Sequence, residues 1–448
     1  MPSVNAAIHR RRRGCARDDR RAILGGLRFR ACRVSIFSPA SERYAARVQF
    51  VVDLAAHLHR YGTTAQRLEA AVVAVAQRLR LDCEPWSNPT GMILSFSDPT
   101  RPPGETDTTR VVRLAPGQND LYKLCEADRI AEEVMDGRLD IAGGQAALEK
   151  LHRQPSARWR AMQVFAFGLA AAAVGGLLQL PWLDIATAGL AGLCIGLLEQ
   201  WSESRPRMRE ASDAVAAMLA SGIVILVAAF VGPLNLNTTI IAALIVLLPG
   251  LALTNAINEL ASQHLVSGTA RFAGALMTVM KLTVGSVIAL TVAQLLGIEP
   301  QVRSLRPQPV WVEAGALVLA AYAFALLFRA HRRDYWLVML AAASGYLISR
   351  FAGDYWGSPV GIFLAALTLT AAGNAYARWG QRPGALIRVP GIIMLVPGSA
   401  SLRGVLTLIQ QQDFAVGQAA MMAVINILLA LIAGLLIGNL LVPARRNL

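Results

Sequence analysis

Charge is scarce in this chain of 448 residues: 16% of positions are Asp, Glu, Lys or Arg, against about 25% in ordinary soluble proteins. Most of that charge lies before residue 160. With 54% hydrophobic residues and a mean hydropathy of +0.44, the shortage excludes a single water-soluble domain. Cysteine is also sparse. Cys15, Cys32, Cys83, Cys125 and Cys194 are odd in number, widely spaced and without a C-x-x-C pair, which argues for reduced thiols and against structural zinc. The chain lacks a G-x-x-x-x-G-K-[ST] loop and a G-x-G-x-x-G after a strand. No cofactor is therefore expected, and uphill work must draw on an ion gradient. No G-x-S-x-G or H-E-x-x-H occurs, which leaves a membrane-tethered hydrolase without a recognisable nucleophile and base.

Only three of the 43 basic residues are lysines (Lys123, Lys150, Lys281), and ten arginines fall within the first 33 positions. No aromatic residue interleaves with Arg10 to Arg13, Arg17, Arg20 and Arg21, so the run lacks a base-stacking pattern and nucleic acid is not an expected partner. Nor does a long apolar core follow it, which excludes a secretory signal. Residues 1–42 read as an Arg-rich leader expected to be disordered, with an anionic membrane face as the competing use.

Behind the leader, Val48, Val51, Val52, Ala55 and Leu58 fall at helical spacing, which places His57 and His59 on the remaining surface. Gly62 ends this helix, and Thr63 or Thr64 caps a second with Leu68, Val72, Val75 and Leu79 as its stripe. Two histidines two apart do not share a helix face, so His57, His59 and Glu69 are not expected to hold a metal. Short β-prone segments at Asp82 to Trp86, Met92 to Phe96 and Arg110 to Leu114 predict a small sheet, and helices follow near Asp120 to Met135 and Ile141 to His152. Residues 43–157 are thus expected to form a soluble α+β domain.

From Met162 to Val442 the chain repeats apolar stretches near the roughly 20 residues that a bilayer crossing requires. Ten spans are expected, near 162–180, 182–201, 211–231, 238–253, 272–296, 310–328, 334–352, 357–377, 386–409 and 414–442. With the soluble domain inside, the inner connections hold twelve arginines, Arg388 among them, and the outer ones four. That imbalance places both termini in the cytoplasm. Leu247-Leu248-Pro249-Gly250 recurs 148 positions later as Leu395-Val396-Pro397-Gly398, and Gly268, Ala270, Gly285 and Ile288 match Gly417, Ala419, Gly434 and Ile437 at a spacing of 149. The expected fold is therefore a membrane all-α protein of about ten transmembrane helices in two inverted five-helix repeats, 158–298 and 299–448, with a small N-terminal α+β cytoplasmic domain.

Inverted repeats with paired short, interrupted spans are the sequence signature of an alternating-access site, because broken helices expose backbone groups to ligands inside the membrane. Pro249 and Gly250, and Pro397 and Gly398, are the candidate breaks; a simple kink or a helix end is the alternative. On a helix, Asn255, Asn258 and Glu259 share a face at i, i+3 and i+4, where two amides and a carboxylate can receive an ammonium and a hydroxyl, and Glu259 can carry a proton. An inert interfacial loop is the competing reading. Lys281, about 15 Å along a helix from Arg271, is a candidate for a substrate carboxylate or for Glu259, unless it snorkels. Asn374, Asn426 and Asn439 fit interhelical hydrogen bonds.

Several of these segments carry a resemblance. Tyr61-Gly62-Thr63-Thr64, Arg67-Leu68-Glu69, Asn88-Pro89-Thr90-Gly91, and above all Leu248 to Leu260 followed by Ser267-Gly268-Thr269-Ala270-Arg271, resemble the threonine/serine exporter family of bacterial and fungal membrane proteins. The likeness covers nearly everything after residue 43. Glu259 stands where that family often has aspartate. The resemblance implies export of threonine and serine driven by the proton motive force, from a bacterial inner membrane. Some split relatives look like exporters of small dicarboxylates such as succinate. Expected partners are therefore a small-molecule substrate (threonine, serine or a small carboxylate), protons and the lipid bilayer, with a homo-oligomer left open.

Overall fold

Helical periodicity in the N-terminal third produces a pair of packed helices, α1 (Pro39–Arg60) and α2 (Ala65–Arg78). The computed structural model describes residues 39–100, 107–152, 156–303, 308–380, 382–395, 402, 404, 406 and 414–443. Residues 1–38 of the Arg-rich leader and the pair Pro397-Gly398 lie outside these described residues, while residues 39–42, expected to be disordered, open α1. Val48, Val51, Leu54, Ala55 and Leu58 of α1 meet Leu68, Val72 and Val75 of α2 in one core, each at most 1% exposed. Burial of this kind is worth about 1.5–3 kcal/mol per large side chain. The turn between the helices needs Gly62: its φ is +84°, and a Cβ there would stand 2.6 Å from Asn119 Oδ1.

Three antiparallel strands follow, β1 (Asp82–Asn88), β2 (Gly91–Ser97) and β3 (Thr108–Arg113), in that order across the sheet. The hairpin registers Asn88 opposite Gly91 and Trp86 opposite Ile93. Met92, Leu94 and Phe96 point inward at period two, as a half-buried strand requires. Two capped helices complete the region. Asp120 accepts from Lys123 N–H at the start of α3 (Leu121–Met135), and Asp140 accepts from Gly143 N–H at the start of α4 (Ile141–Leu151).

His57 and His59 are not on an open surface, as periodicity predicts, but buried at 8% and 6% exposure. The hairpin covers that side too: His59 Nε2 lies 3.1 Å from Asn88 O, while His57 Nδ1 lies 2.7 Å from Asp53 O. Desolvation holds both imidazoles below their ordinary range.

The rest is helical: α5 (Ala157–Leu177), α6 (Trp182–Glu203), α7 (Pro206–Phe230), α8 (Leu236–Ala243), α9 (Gly250–Ala261), α10 (Leu265–Leu295), α11 (Val310–Leu327), α12 (Tyr335–Trp356), α13 (Ser358–Gly380), α14 (Ala385–Ile393) and α15 (Phe414–Leu441). Among the described residues, eight of these helices are long and apolar enough to cross a membrane: α5, α6, α7, α10, α11, α12, α13 and α15. Leu190, Leu197, Phe230, Met277, Leu340 and Leu440 are exposed on their outer faces, which suits a lipid solvent. Small residues let the helices close on one another: a Cβ on Gly285 of α10 would strike the Ala214 carbonyl of α7, the packing device expected in lipid.

The two remaining apolar stretches are shorter. The fourth is not one helix over 238–253 but α8 and α9, separated by a turn at 244–247. Pro249 explains the break, because it lacks an N–H and biases Leu248 away from helical dihedrals. The ninth opens as α14, nine residues long, with Pro390 inside it. Helix α9 packs against both α14 and α15.

Candidate functional site

A buried carboxylate positions the short helix α8. Asp184, fully buried near the start of α6, accepts from the Asn235 N–H at 2.7 Å and from Thr239 Oγ1 at 2.9 Å. Sequence reasoning assigned Asp184 no role, since a lone acid at the head of an apolar stretch looks like any interfacial residue. Beyond the turn, Pro249 occupies the N-cap of α9 and Gly250 opens it.

One side of α9 borders a cavity of about 350 Å3. Thr254, Asn255 and Asn258 line it from α9, Arg388 from α14 and Asn439 from α15, while Thr63, Thr64 and Arg67 face it from the α1–α2 turn and the start of α2. Among the described residues, two arginines and no carboxylate line it. Several of these polar groups have no hydrogen-bond partner among the described residues: Arg388 Nε, Thr63 Oγ1 and the neighbouring Tyr61 hydroxyl. Burial pushes the Tyr61 hydroxyl up to about 12 and the Arg67 guanidinium down to about 10. Arg388, counted from sequence with the inner loops, is instead a helix residue only 9% exposed. Nothing in a one-dimensional count separates a loop arginine from one folded back against Gly373 and Gly384, whose missing side chains make room for it.

Glu259 does not line the cavity. It is fully buried, and its oxygens accept four hydrogen bonds: from Arg271 Nε and Nη2, each at 3.1 Å, from Ser267 Oγ at 2.8 Å and from the Ala65 N–H at 3.0 Å. The last bond matters for architecture. Thr64 sits at the N-cap of α2 but makes no side-chain cap, so a carboxylate from α9 takes that helix end instead, where the helix dipole favours negative charge. A second link lies beside it. His264 Nε2 is 3.1 Å from Glu69 Oε2, and Glu69 Oε1 accepts from the Ser87 N–H and hydroxyl. Of the three residues expected to share one face, the structure thus brings Asn255 and Asn258 to the cavity and gives Glu259 to Arg271.

Lys281 meets neither Glu259 nor the cavity. Its Nζ donates to Glu210 O at 2.9 Å and lies 3.6 Å from Asp213 Oδ2, both on α7. Asn374 donates to Asn439 Oδ1 at 2.9 Å and to Val442 O at 2.8 Å, tying α13 to the end of α15, while Asn426 is exposed.

A second cavity, of about 460 Å3, lies on the other side of the break. Leu247 borders it just before Pro249, whereas Leu251 borders the first cavity just after; Ile393 and Ile392 at the end of α14 divide in the same way. Its lining carries both signs of charge, with Lys123, Arg160 and Arg329 facing Asp120, Glu199 and Glu203. Asn119 borders both cavities. The start of α3 closes over them, its Leu121 and Tyr122 N–H groups donating to the carbonyls of Phe328 and Arg329 beyond α11.

Comparison with known proteins identifies a family. A family model for threonine/serine exporters matches residues 49–293, and a second, described as "Threonine/Serine exporter, ThrE", matches residues 314–441. Among curated relatives, the pheromone-regulated membrane protein 10 of Pichia sorbitophila is 26% identical over 82% of this chain, and that of Candida glabrata 23% identical over 83%. The chain spans 38% and 48% of those two proteins. No solved structure matches. With family matches on both sides of residue 300 and a helical body of eight apolar spanning-length helices, the chain belongs to the threonine/serine exporter family of membrane proteins.

Proposed function

We propose that the protein is a secondary active exporter of small hydroxy amino acids, threonine and serine, working by alternating access around the interruptions at Pro249-Gly250 and Pro397-Gly398. The observation that carries this reading is the polar cavity bordered by Asn255 and Asn258 directly after the first interruption and by Arg388 on the corresponding segment of the second half. Its volume of about 350 Å3 falls in the range of small-molecule sites. Amide oxygens of Asn255, Asn258 and Asn439 can accept from an ammonium, and hydroxyls can pair with the substrate hydroxyl. The ten-span, two-inverted-half arrangement belongs to this proposal, with α14 and the residues after it as the ninth crossing. So do the cytoplasmic placement of the N-terminal α+β region, a bacterial inner membrane as its home, and protons as the coupling ion.

Counterflow of labelled threonine and serine in proteoliposomes tests it. Uptake of label against preloaded unlabelled substrate is expected, together with net transport driven by an imposed proton gradient that collapses with an uncoupler; absence of flux for both amino acids removes the substrate assignment, and net flux indifferent to the uncoupler except through membrane potential indicates a passive channel. A second reading, export of small dicarboxylates such as succinate, is favoured by one feature: among the described residues, two guanidinium groups and no carboxylate line the cavity. Competition separates the two, since succinate then blocks uptake where neither amino acid does.

A further inference from the structure

We propose that Arg67 and Arg388 together bind a carboxylate of the transported molecule, so that the N-terminal α+β region supplies part of a substrate site it shares with α14. This deepens the exporter reading above and rests on it. The first ground is charge balance. Arg47, Arg271, Arg329, Arg350 and Arg382 are also wholly or partly withdrawn from solvent, and each has a carboxylate partner: Asp98, Glu259, Asp120, Glu313 and Asp334. Arg67 and Arg388 border one cavity, and the structure gives their side chains no ion pair or hydrogen bond among the described residues. Two like charges, one buried and one half-buried, are costly without a counter-ion, and an anion bound by both relieves them.

The second ground is fit. A guanidinium presents a planar fork of donors that matches a carboxylate bidentately, which an ammonium does not. Arg388 is nine-tenths buried, with Nε unpartnered. Burial alone depresses Arg67, with no neighbouring acid opposing it. The same cavity is lined by the amides of Asn255 and Asn258, able to take either an ammonium and hydroxyl or, through their N–H groups, a second carboxylate. The shared chemistry is one carboxylate on the arginines, and the far group distinguishes an amino acid from a dicarboxylate.

The test uses the full chain in proteoliposomes. Phenylglyoxal modification of Arg67 and Arg388 is mapped by mass spectrometry with threonine, with succinate, and with threoninol, which keeps the ammonium and hydroxyl but has no carboxylate. Protection of both arginines by threonine assigns the amino acid; protection by succinate alone assigns the dicarboxylate. Equal protection by threoninol, or protection by none of the three, overturns the proposal. In parallel, Arg67→Gln and Arg388→Gln are expected to raise the half-saturating concentration for counterflow about tenfold or more with little change in maximal rate, and Arg67→Lys to fall between. Half-saturation unchanged in both Gln variants overturns the carboxylate site while leaving the exporter reading standing. Wild-type protein that transports nothing yet shows carboxylate-specific protection defeats the exporter reading and keeps the site. The wild-type protection arm decides the matter even where a variant fails to fold.

Discussion

On α9, Glu259 is fully buried and accepts four hydrogen bonds, two of them from Arg271; in the cavity beside it, Arg67 and Arg388 have no carboxylate among the described lining residues. The two environments are reached from consecutive residues, Asn258 and Glu259, and they have opposite uses for charge. A satisfied buried pair fixes geometry, and here it fastens the start of α2 to the membrane helices. An unsatisfied one leaves binding capacity for something else. The difference teaches that a polar segment beside a helix break does not become a ligand site as a block: each side chain is assigned by what already saturates it.

The sharpest way to break this comparison is to remove Glu259. Glu259→Ala leaves Arg271 uncompensated and the Ala65 N–H without its acceptor, with an expected loss of about 3–5 kcal/mol. Thermal unfolding, together with faster limited proteolysis between α1 and α2, measures it; stability equal to wild type refutes the fastening role. Next in size, Asn258→Ala is expected to weaken counterflow several-fold while the unfolding midpoint moves by less than about 1 kcal/mol, since a cavity-lining amide carries little structural load. Matching losses of stability and transport erase the distinction between the two sides.

Acid supplies a smaller lever on the α+β region. Burial holds His57 and His59 below 6.5, so the folded state keeps them neutral. As pH falls below about 6.5 the unfolded chain takes up protons that the folded one does not, and stability drops. A loss on the order of 1 kcal/mol per histidine and pH unit is expected on moving from neutral pH toward pH 5.5, flattened in the His57→Gln, His59→Gln double variant. A profile equally steep in that variant places the titration elsewhere. The smallest effect belongs to Lys281→Met. Its partners are Glu210 O and Asp213 on α7, and a partly exposed pair contributes about 0–1 kcal/mol, so transport is expected to survive. Lost transport in that variant returns Lys281 to the substrate path.

Much of the local structure is legible from periodicity and punctuation. The helices before and after the sheet, the three strands and the break before Pro249 follow from spacing, turn residues and proline chemistry. The site was legible only in part. Asn255 and Asn258 were marked by their position after the break, but Arg388 was hidden among loop arginines, and Asp184 and Asn119 gave no signal. Glu259 was singled out for its charge and turned out to have partners from α2 and α10.

Composition alone determined the solvent. A chain this poor in charge after residue 160 must place those stretches in lipid, because backbone groups there can be satisfied only inside helices. Only the tertiary structure decided which charges are spent and which are free. Pairing depends on donors as far as 209 positions away, as Arg329 and Asp120 show, and no periodicity within one helix encodes a neighbour that another part of the chain brings to it.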